Sequence, residues 1–190
     1  MEPIAEKKKA IFESTLELVK EKGFHGTPMS LVAKKASVAA GTIYHYFESK
    51  EQLICELFQY TRRQTIEIVQ REDSVTVPYK DCFFNLWFGL YNFYRANPNV
   101  FRFFEQFTNS PYNTNKGDLE QDDFYRLLFR FFERGIAEGH LRPVSSKVLG
   151  VLAHGNIIST VKVQAMCLLT LQEDELQQIP EILWEGMRSR

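Results

Sequence analysis

The chain has 190 residues and a mass of 22.2 kDa, with 44% apolar and 25% charged residues, which fits one large or two small globular domains and excludes a disordered or fibrous polypeptide. A net charge of −1 and a pI near 6.4 exclude a protein that coats nucleic acid or an anionic membrane through bulk charge. The charge is uneven, however: residues 1–50 carry eight Lys/Arg against six Asp/Glu, a net of +2, and the remainder is net −3.

Apolar residues recur at helical spacing almost throughout, and no stretch alternates long enough to make a strand, so an all-α fold is expected. A first helix runs from about Ile4 to Lys22, stopped by Gly23. Thr27-Pro28 writes the next start: the threonine hydroxyl can cap free amides, and proline suits the first helical position. That short helix buries Met29, Val32, Ala33 and Ala36 before the turn Ser37-Val38-Ala39 leads into another, Ala40 to Phe47. A fourth helix opens at Ser49, where Gln52 completes a capping box, and continues to about Gln70. After a polar connection ending at Pro78, helices are expected at about Tyr79–Ala96, Pro98–Thr108, Asp118–Glu138, Ser146–Leu169 and Asp174–Met187. Pro180 inside the last must either kink it or mark its true start.

No apolar run exceeds six residues, against the ~20 that span a bilayer, and Met1-Glu2-Pro3 opens without a signal-peptide core; a cytoplasmic protein with no membrane partner is expected. Cys55, Cys82 and Cys167 match neither a zinc ribbon nor a redox pair and read as small apolar residues. His25, His45, His140 and His154 show no metal-ligand spacing, and no glycine-rich phosphate loop, nucleophile elbow or carboxylate pair is present. No catalytic residue, metal or cofactor is therefore expected.

Residues 29–47 have the pattern of a helix-turn-helix. Ile43 and Phe47 face inward, whereas Thr42, Tyr44 and His45 project outward in place of the Lys and Glu of an ordinary solvated helix. Gly41 costs so short a helix roughly 1 kcal/mol relative to alanine, which makes sense if the backbone must approach another surface closely. Lys50, in the first turn of its helix, opposes the macrodipole; a phosphate would remove that conflict, and a plain surface lysine is the alternative. The start at Thr27 could likewise hold a backbone phosphate or be an ordinary cap. Lys7, Lys8 and Lys9 form either a solvated end or a flank along DNA.

The stretch from Ile11 to Leu53, with Ile11-Phe12-Glu13-Ser14-Thr15-Leu16-Glu17-Leu18, Lys22-Gly23-Phe24, Thr27, Val32-Ala33, Gly41-Thr42-Ile43-Tyr44-His45-Tyr46-Phe47 and Ser49-Lys50-Glu51-Gln52-Leu53, closely resembles the DNA-binding domain of TetR-family transcriptional regulators. The resemblance implies a three-helix DNA-binding domain over residues 1–49, joined by a long helix to a ligand-binding and dimerisation domain over 50–190. It places Thr27, Ala39, Ala40, Gly41, Thr42, Tyr44, His45 and Lys50 at a palindromic operator. It further implies a repressor that an effector releases. Ser37 stands where the family usually has glycine, and Ala39-Ala40 replace its usual serine and basic residue. Those departures remove a cap and a DNA contact that the resemblance implies, so a binding module that no longer reads DNA is the alternative.

Seventeen of the 26 aromatic residues fall within residues 83–132. Most must be core, but their density suits a cavity for an apolar or aromatic small molecule, with Phe84, Trp87, Phe88, Tyr91, Phe104, Phe107 and Phe129 as candidate lining. Asn85, Asn92, His154, Asn156 and Gln164 are candidate orienting groups, with satisfied structural burial the alternative for each. The last two helices carry Val148, Val151, Leu152, Gly155, Ile158, Leu176, Ile179, Leu183, Trp184 and Met187, and the resemblance implies that they pair with those of a second copy as a homodimer.

Overall fold

The computed structural model describes residues 6–113 and 119–190. The described chain is helical: α1 (Glu6–Lys22), α2 (Met29–Lys35), α3 (Ala40–Tyr46), α4 (Lys50–Glu72), α5 (Tyr79–Ala96), α6 (Pro98–Thr108), α7 (Asp123–Ala137), α8 (Ser146–Ala165) and α9 (Glu173–Met187), with a 3₁₀ turn at Leu119–Gln121. The expected starts at Ile4 and Asp118 lie outside the described residues. Among the described residues no helix is long and apolar enough to cross a membrane, and no His/Cys/Asp/Glu group could hold a metal ion.

The helices form two compact units, one of residues 1–61 and 97–116, the other of 62–96 and 117–190. Helix α4 thus contributes to both, and the packing units differ from the division at residue 49 read from the sequence. In the first unit α1 packs on α2 and α6, and α2 on α3. Its core holds Ile11, Phe12, Val19, Val32, Ile43, Phe47, Leu53 and Leu57, all buried. The Phe12 ring centroid lies 5.6 Å from that of Phe47 and 5.1 Å from that of Tyr60, which joins α1 to the end of α3 and to α4. Gln106 on α6 donates its side-chain amide to the Val19 carbonyl in the last turn of α1 (3.0 Å). Gly23, at φ +66°, ends α1 as its sequence position predicts.

In the second unit α8 lies against α5 and α7, and α9 against α5. Arg62 on α4 meets Asp122 through Nε (3.2 Å) and Nη2 (2.5 Å), its guanidinium lying over the Phe124 ring at 4.4 Å. Asp122 also accepts from the Phe124 backbone N–H (2.9 Å) and so caps α7. Helix α8 stops at Ala165 rather than Leu169, because Cys167 takes a left-handed conformation (φ +54°) that no helix can include. Helix α9 begins at a Gln172–Glu175 capping box and runs through Pro180 without ending. The proline is buried and neither breaks nor starts the helix.

Candidate functional site

The turn between α2 and α3 is set by backbone bonds that the sequence pattern anticipates. The N–H of Ala36 reaches the Val32 carbonyl (2.8 Å) and that of Val38 the Ala33 carbonyl (3.0 Å), with Ser37 between them at φ +54°. Ser37 thus occupies a conformation that favours glycine, at a cost of about 1 kcal/mol. From this turn α3 emerges with Ile43 and Phe47 buried and with Ala39, Ala40, Gly41, Tyr44 and His45 exposed. Thr42 is half-buried, and Tyr44 is 56% exposed. Ala39 is the N-cap residue and, having no side-chain acceptor, makes no cap bond. A Cβ added at Gly41 would meet nothing within 4 Å, and its φ lies outside the left-handed range, so the protomer itself does not require glycine there.

Two expectations about helix starts are corrected. Thr27 is only 2% exposed and does not cap α2: its hydroxyl donates to the Gly23 carbonyl (2.8 Å), its N–H bonds the Phe24 carbonyl (3.2 Å), and Pro28 is the N-cap residue. The end of α1 offers that hydroxyl a carbonyl acceptor, and Thr27 serves the α1–α2 corner. At α4 half of the expected capping box forms, with the Gln52 N–H donating to Ser49 Oγ (3.1 Å). The Gln52 side chain accepts instead from the Glu48 N–H (2.7 Å). Lys50 is half-buried and its ammonium donates to the Phe24 carbonyl, so its place in the first turn of α4 has a partner within the protomer. Two of its three donors remain for another ligand.

Lysines around α3 are mostly engaged: Lys8 pairs with Glu56 (2.7 Å) and Lys35 with Glu17 (2.8 Å), while Lys34 stays exposed in the last turn of α2. Helix α3 itself carries no Lys, Arg, Asn or Gln. Its polar atoms are those of Thr42, Tyr44, His45 and Tyr46.

In the second unit the aromatic stripes are core. Trp87, Tyr91 and Phe129 are buried, Phe84 and Phe88 half-buried. A small cavity of about 10 Å³, lined by Trp87, Leu90, Leu128, Phe132, His154 and Ile157 among others, lies between α5, α7 and α8. That volume holds about one water. Phe104 and Phe107 belong to the first unit, where the Phe107 ring stacks on Phe58 at 4.1 Å. Of the expected orienting groups, Asn85 and Asn92 are exposed on α5 and orient nothing inside. Asn156 accepts from the Trp87 indole (2.9 Å), Gln164 from the Tyr91 hydroxyl. His154 lies between two hydroxyls, Tyr125 at 3.0 Å from Nδ1 and Tyr94 at 3.4 Å from Nε2. Burial, aided by the Arg62 charge, pushes its pKa down to about 3, so the imidazole is neutral. Burial raises the Tyr94 hydroxyl well above the usual tyrosine range and raises that of Tyr125 as well.

A second exposed surface runs along α8 and α9. Val148, Val151 and Leu152 are exposed around Gly155, and Ile182 on α9 is 71% exposed. Leu183, expected to face a partner, is only half-buried, whereas Trp184 and Met187 are buried within the unit; the indole lies 5.5 Å from the Phe83 ring. Sequence reasoning missed Ile182, which adjoins these inward residues.

With this geometry in view, the comparisons with known proteins are decisive. Residues 11–57 match the bacterial regulatory proteins of the tetR family, and residues 78–188 match a tetracyclin repressor-like C-terminal domain. The chain belongs to the TetR family. It is a DNA-binding transcriptional regulator and not an enzyme. This TetR-family chain is 23% identical over 178 residues to an uncharacterized HTH-type transcriptional regulator of Haemophilus influenzae, covering 94% of each. It superposes with TM-score 0.84 on a TetR family transcription regulator from Marinobacter aquaeolei, at 24% identity and 97% of both chains. FadR of Bacillus subtilis, solved in complex with stearoyl-CoA, matches at TM-score 0.74 and 22% identity, over 93% of this chain and 95% of that one.

Proposed function

We propose that the protein is a homodimeric repressor that binds a palindromic operator through α3 and leaves it when an apolar or aromatic small molecule enters the second unit. The observation that carries the reading is Gly41: exposed, in open space, and destabilising to its own short helix, it is explained by a surface that approaches α3 from outside. A recognition helix in the major groove supplies that surface. Ala39, Ala40, Gly41, Thr42, Tyr44 and His45 then face base edges and the sugar-phosphate backbone, with Lys50 at a phosphate through its remaining donors. The functional division stays at residue 49, with the helices from residue 50 onward acting in ligand binding and dimerisation.

The exposed apolar face of α8 and α9 supports dimerisation, and Gly155, whose added Cβ would also meet nothing within 4 Å, supports close approach of a second copy there. Trp87, Tyr91, Phe129, His154 and Asn156 are the part of the expected ligand set that shares the second unit's interior. The cavity's small volume means that a ligand must displace side chains to bind there, and it lowers DNA affinity only if it prefers the conformation that cannot bind the operator. The stearoyl-CoA bound to Bacillus subtilis FadR makes a long-chain acyl-CoA the first effector to try. Helix α4 spans 23 residues, about 34 Å at 1.5 Å per residue, and contributes to both units, so a small tilt can alter the spacing of two recognition helices.

Fluorescence anisotropy with duplexes from the protein's own upstream region tests operator binding, and adding stearoyl-CoA tests release. Calorimetry adds the reciprocal check, since operator must weaken acyl-CoA binding by the factor by which acyl-CoA weakens operator binding. Equal acyl-CoA affinities with and without operator would overturn release by this ligand.

A further inference from the structure

Helix α3 lacks every side chain that makes a bidentate contact to a base: Arg and Lys for guanine, Asn and Gln for adenine. Sequence preference must come from other contacts. At the end of α3 that adjoins the turn, two exposed methyl groups, those of Ala39 and Ala40, stand next to the exposed, side-chain-free Gly41. The next residue, Thr42, adds a methyl and a hydroxyl and is half-buried. Ala39 makes no cap bond, and neither Ala39 nor Ala40 carries a polar side-chain atom of its own to offer an approaching surface.

In the major groove the group that such a patch can recognise is the thymine 5-methyl, the one apolar feature of the base-pair edges. Gly41 lets the helix backbone come near enough for methyl–methyl contact, which a larger residue at that point would prevent. We infer that Ala39 and Ala40 read thymine methyls, so that each operator half-site presents thymines opposite the leading end of α3. Discrimination there is apolar and carried by Ala39 and Ala40 together with Thr42. This inference rests on the assignment of α3 to the operator made above, and it names the base chemistry that α3 selects.

Replacing thymine by deoxyuridine deletes the 5-methyl and leaves every hydrogen-bonding group in place. The operator is first obtained by in vitro selection from random duplexes with the full chain, and each thymine is then replaced in both half-sites. Burying one methyl is worth about 0.8 kcal/mol, so one replacement should weaken binding about fourfold per half-site and roughly fifteenfold for the symmetric pair. Ala40→Gly, tested beside Ala39→Gly, should bind thymine and deoxyuridine duplexes alike at the position each residue reads, while its melting temperature reports whether it still folds. Ala40→Ser, which keeps a Cβ and adds a hydroxyl, serves as the second variant and should shift the selected base at that position. Deoxyuridine duplexes that bind the wild type as tightly as thymine duplexes would overturn the inference while leaving operator binding intact. Failure to select any preferred duplex would instead overturn the assignment of α3 to a specific operator, and the inference with it.

Discussion

The face of α3 and the interior of the second unit present opposite solutions to holding functional groups. On α3 the outward residues are small or singly polar, exposed, and little engaged within the protomer; the helix gives up stability at Gly41, at the uncapped Ala39 and at the strained Ser37 beside it. Around His154 every polar group is paired, aromatic rings fill the space, and about one water's volume is left. The first surface is ready to meet a partner as it stands, while the second must rearrange before it can admit one. Unspent interactions at a surface therefore point to a binding site more directly than aromatic richness in a core does.

The largest expected effect tests whether the α8–α9 face belongs with α3 as a surface awaiting a partner. Ile182→Glu places a charge at an exposed position, so the protomer should keep its melting temperature while sedimentation shows a monomer. Operator affinity should then fall by roughly a hundredfold or more, because the second half-site no longer binds at high effective concentration. A stable dimer in this variant would remove Ile182 from the interface.

Next comes the packed interior around His154. His154 has its pKa lowered to about 3, with Arg62, Asp122, Tyr94 and Tyr125 around it, whereas an unfolded histidine titrates near 6.5. The unfolded chain then binds the extra proton, so this contribution is complete above about pH 6.5 and is lost as pH falls toward 3. Between pH 7 and pH 5 the wild type should lose about 2 kcal/mol through this group. His154→Gln, compared by urea unfolding at both pH values, should lose correspondingly less; parallel losses would mean that His154 is not held neutral.

Gly41→Ala separates stability from binding most directly. With open space around the added methyl, unfolding free energy should rise by roughly 0.5–1 kcal/mol. Operator affinity should drop about tenfold in the same protein. A gain in stability with unchanged binding would mean that no surface comes close to α3 there. The smallest effect is at the turn: Ser37→Gly should stabilise by roughly 0.5 kcal/mol in a thermal melt, relief of left-handed strain being partly offset by greater freedom of the unfolded chain.

Helices α5 and α6 were legible to the residue, because Pro78 and Asn97-Pro98 punctuate an otherwise continuous apolar pattern. The second helix of the helix-turn-helix was legible to within a residue, ending at Tyr46 rather than Phe47, since Ile43 and Phe47 are spaced four apart on a segment whose other face is polar. The end of α8 was not: Met166-Cys167-Leu168-Leu169 continues an apolar pattern, and nothing local marks Cys167 as left-handed. Thr27 misled because its hydroxyl can either accept from the first amides of α2 or donate to a carbonyl at the end of α1, and only the fold decides between them. The aromatic stripes could not reveal that Phe107 and Trp87 belong to different units, because helical spacing records which way a ring points and not which helix it meets. Ile182 was hidden for a similar reason, since in Ile182-Leu183-Trp184 neighbouring apolar residues serve opposite sides of α9.

Asp122 has a further consequence. One carboxylate both anchors Arg62 of α4 and closes the first turn of α7, with Oδ1 shared between the Arg62 Nε and the Phe124 N–H. The two helices are therefore tied to the same side chain at this point. Drawing Arg62 away removes a cation from the carboxylate that caps α7, and fraying of α7 moves that carboxylate away from the guanidinium lying over Phe124. A disturbance arriving at either helix is thus felt at the other through this one side chain.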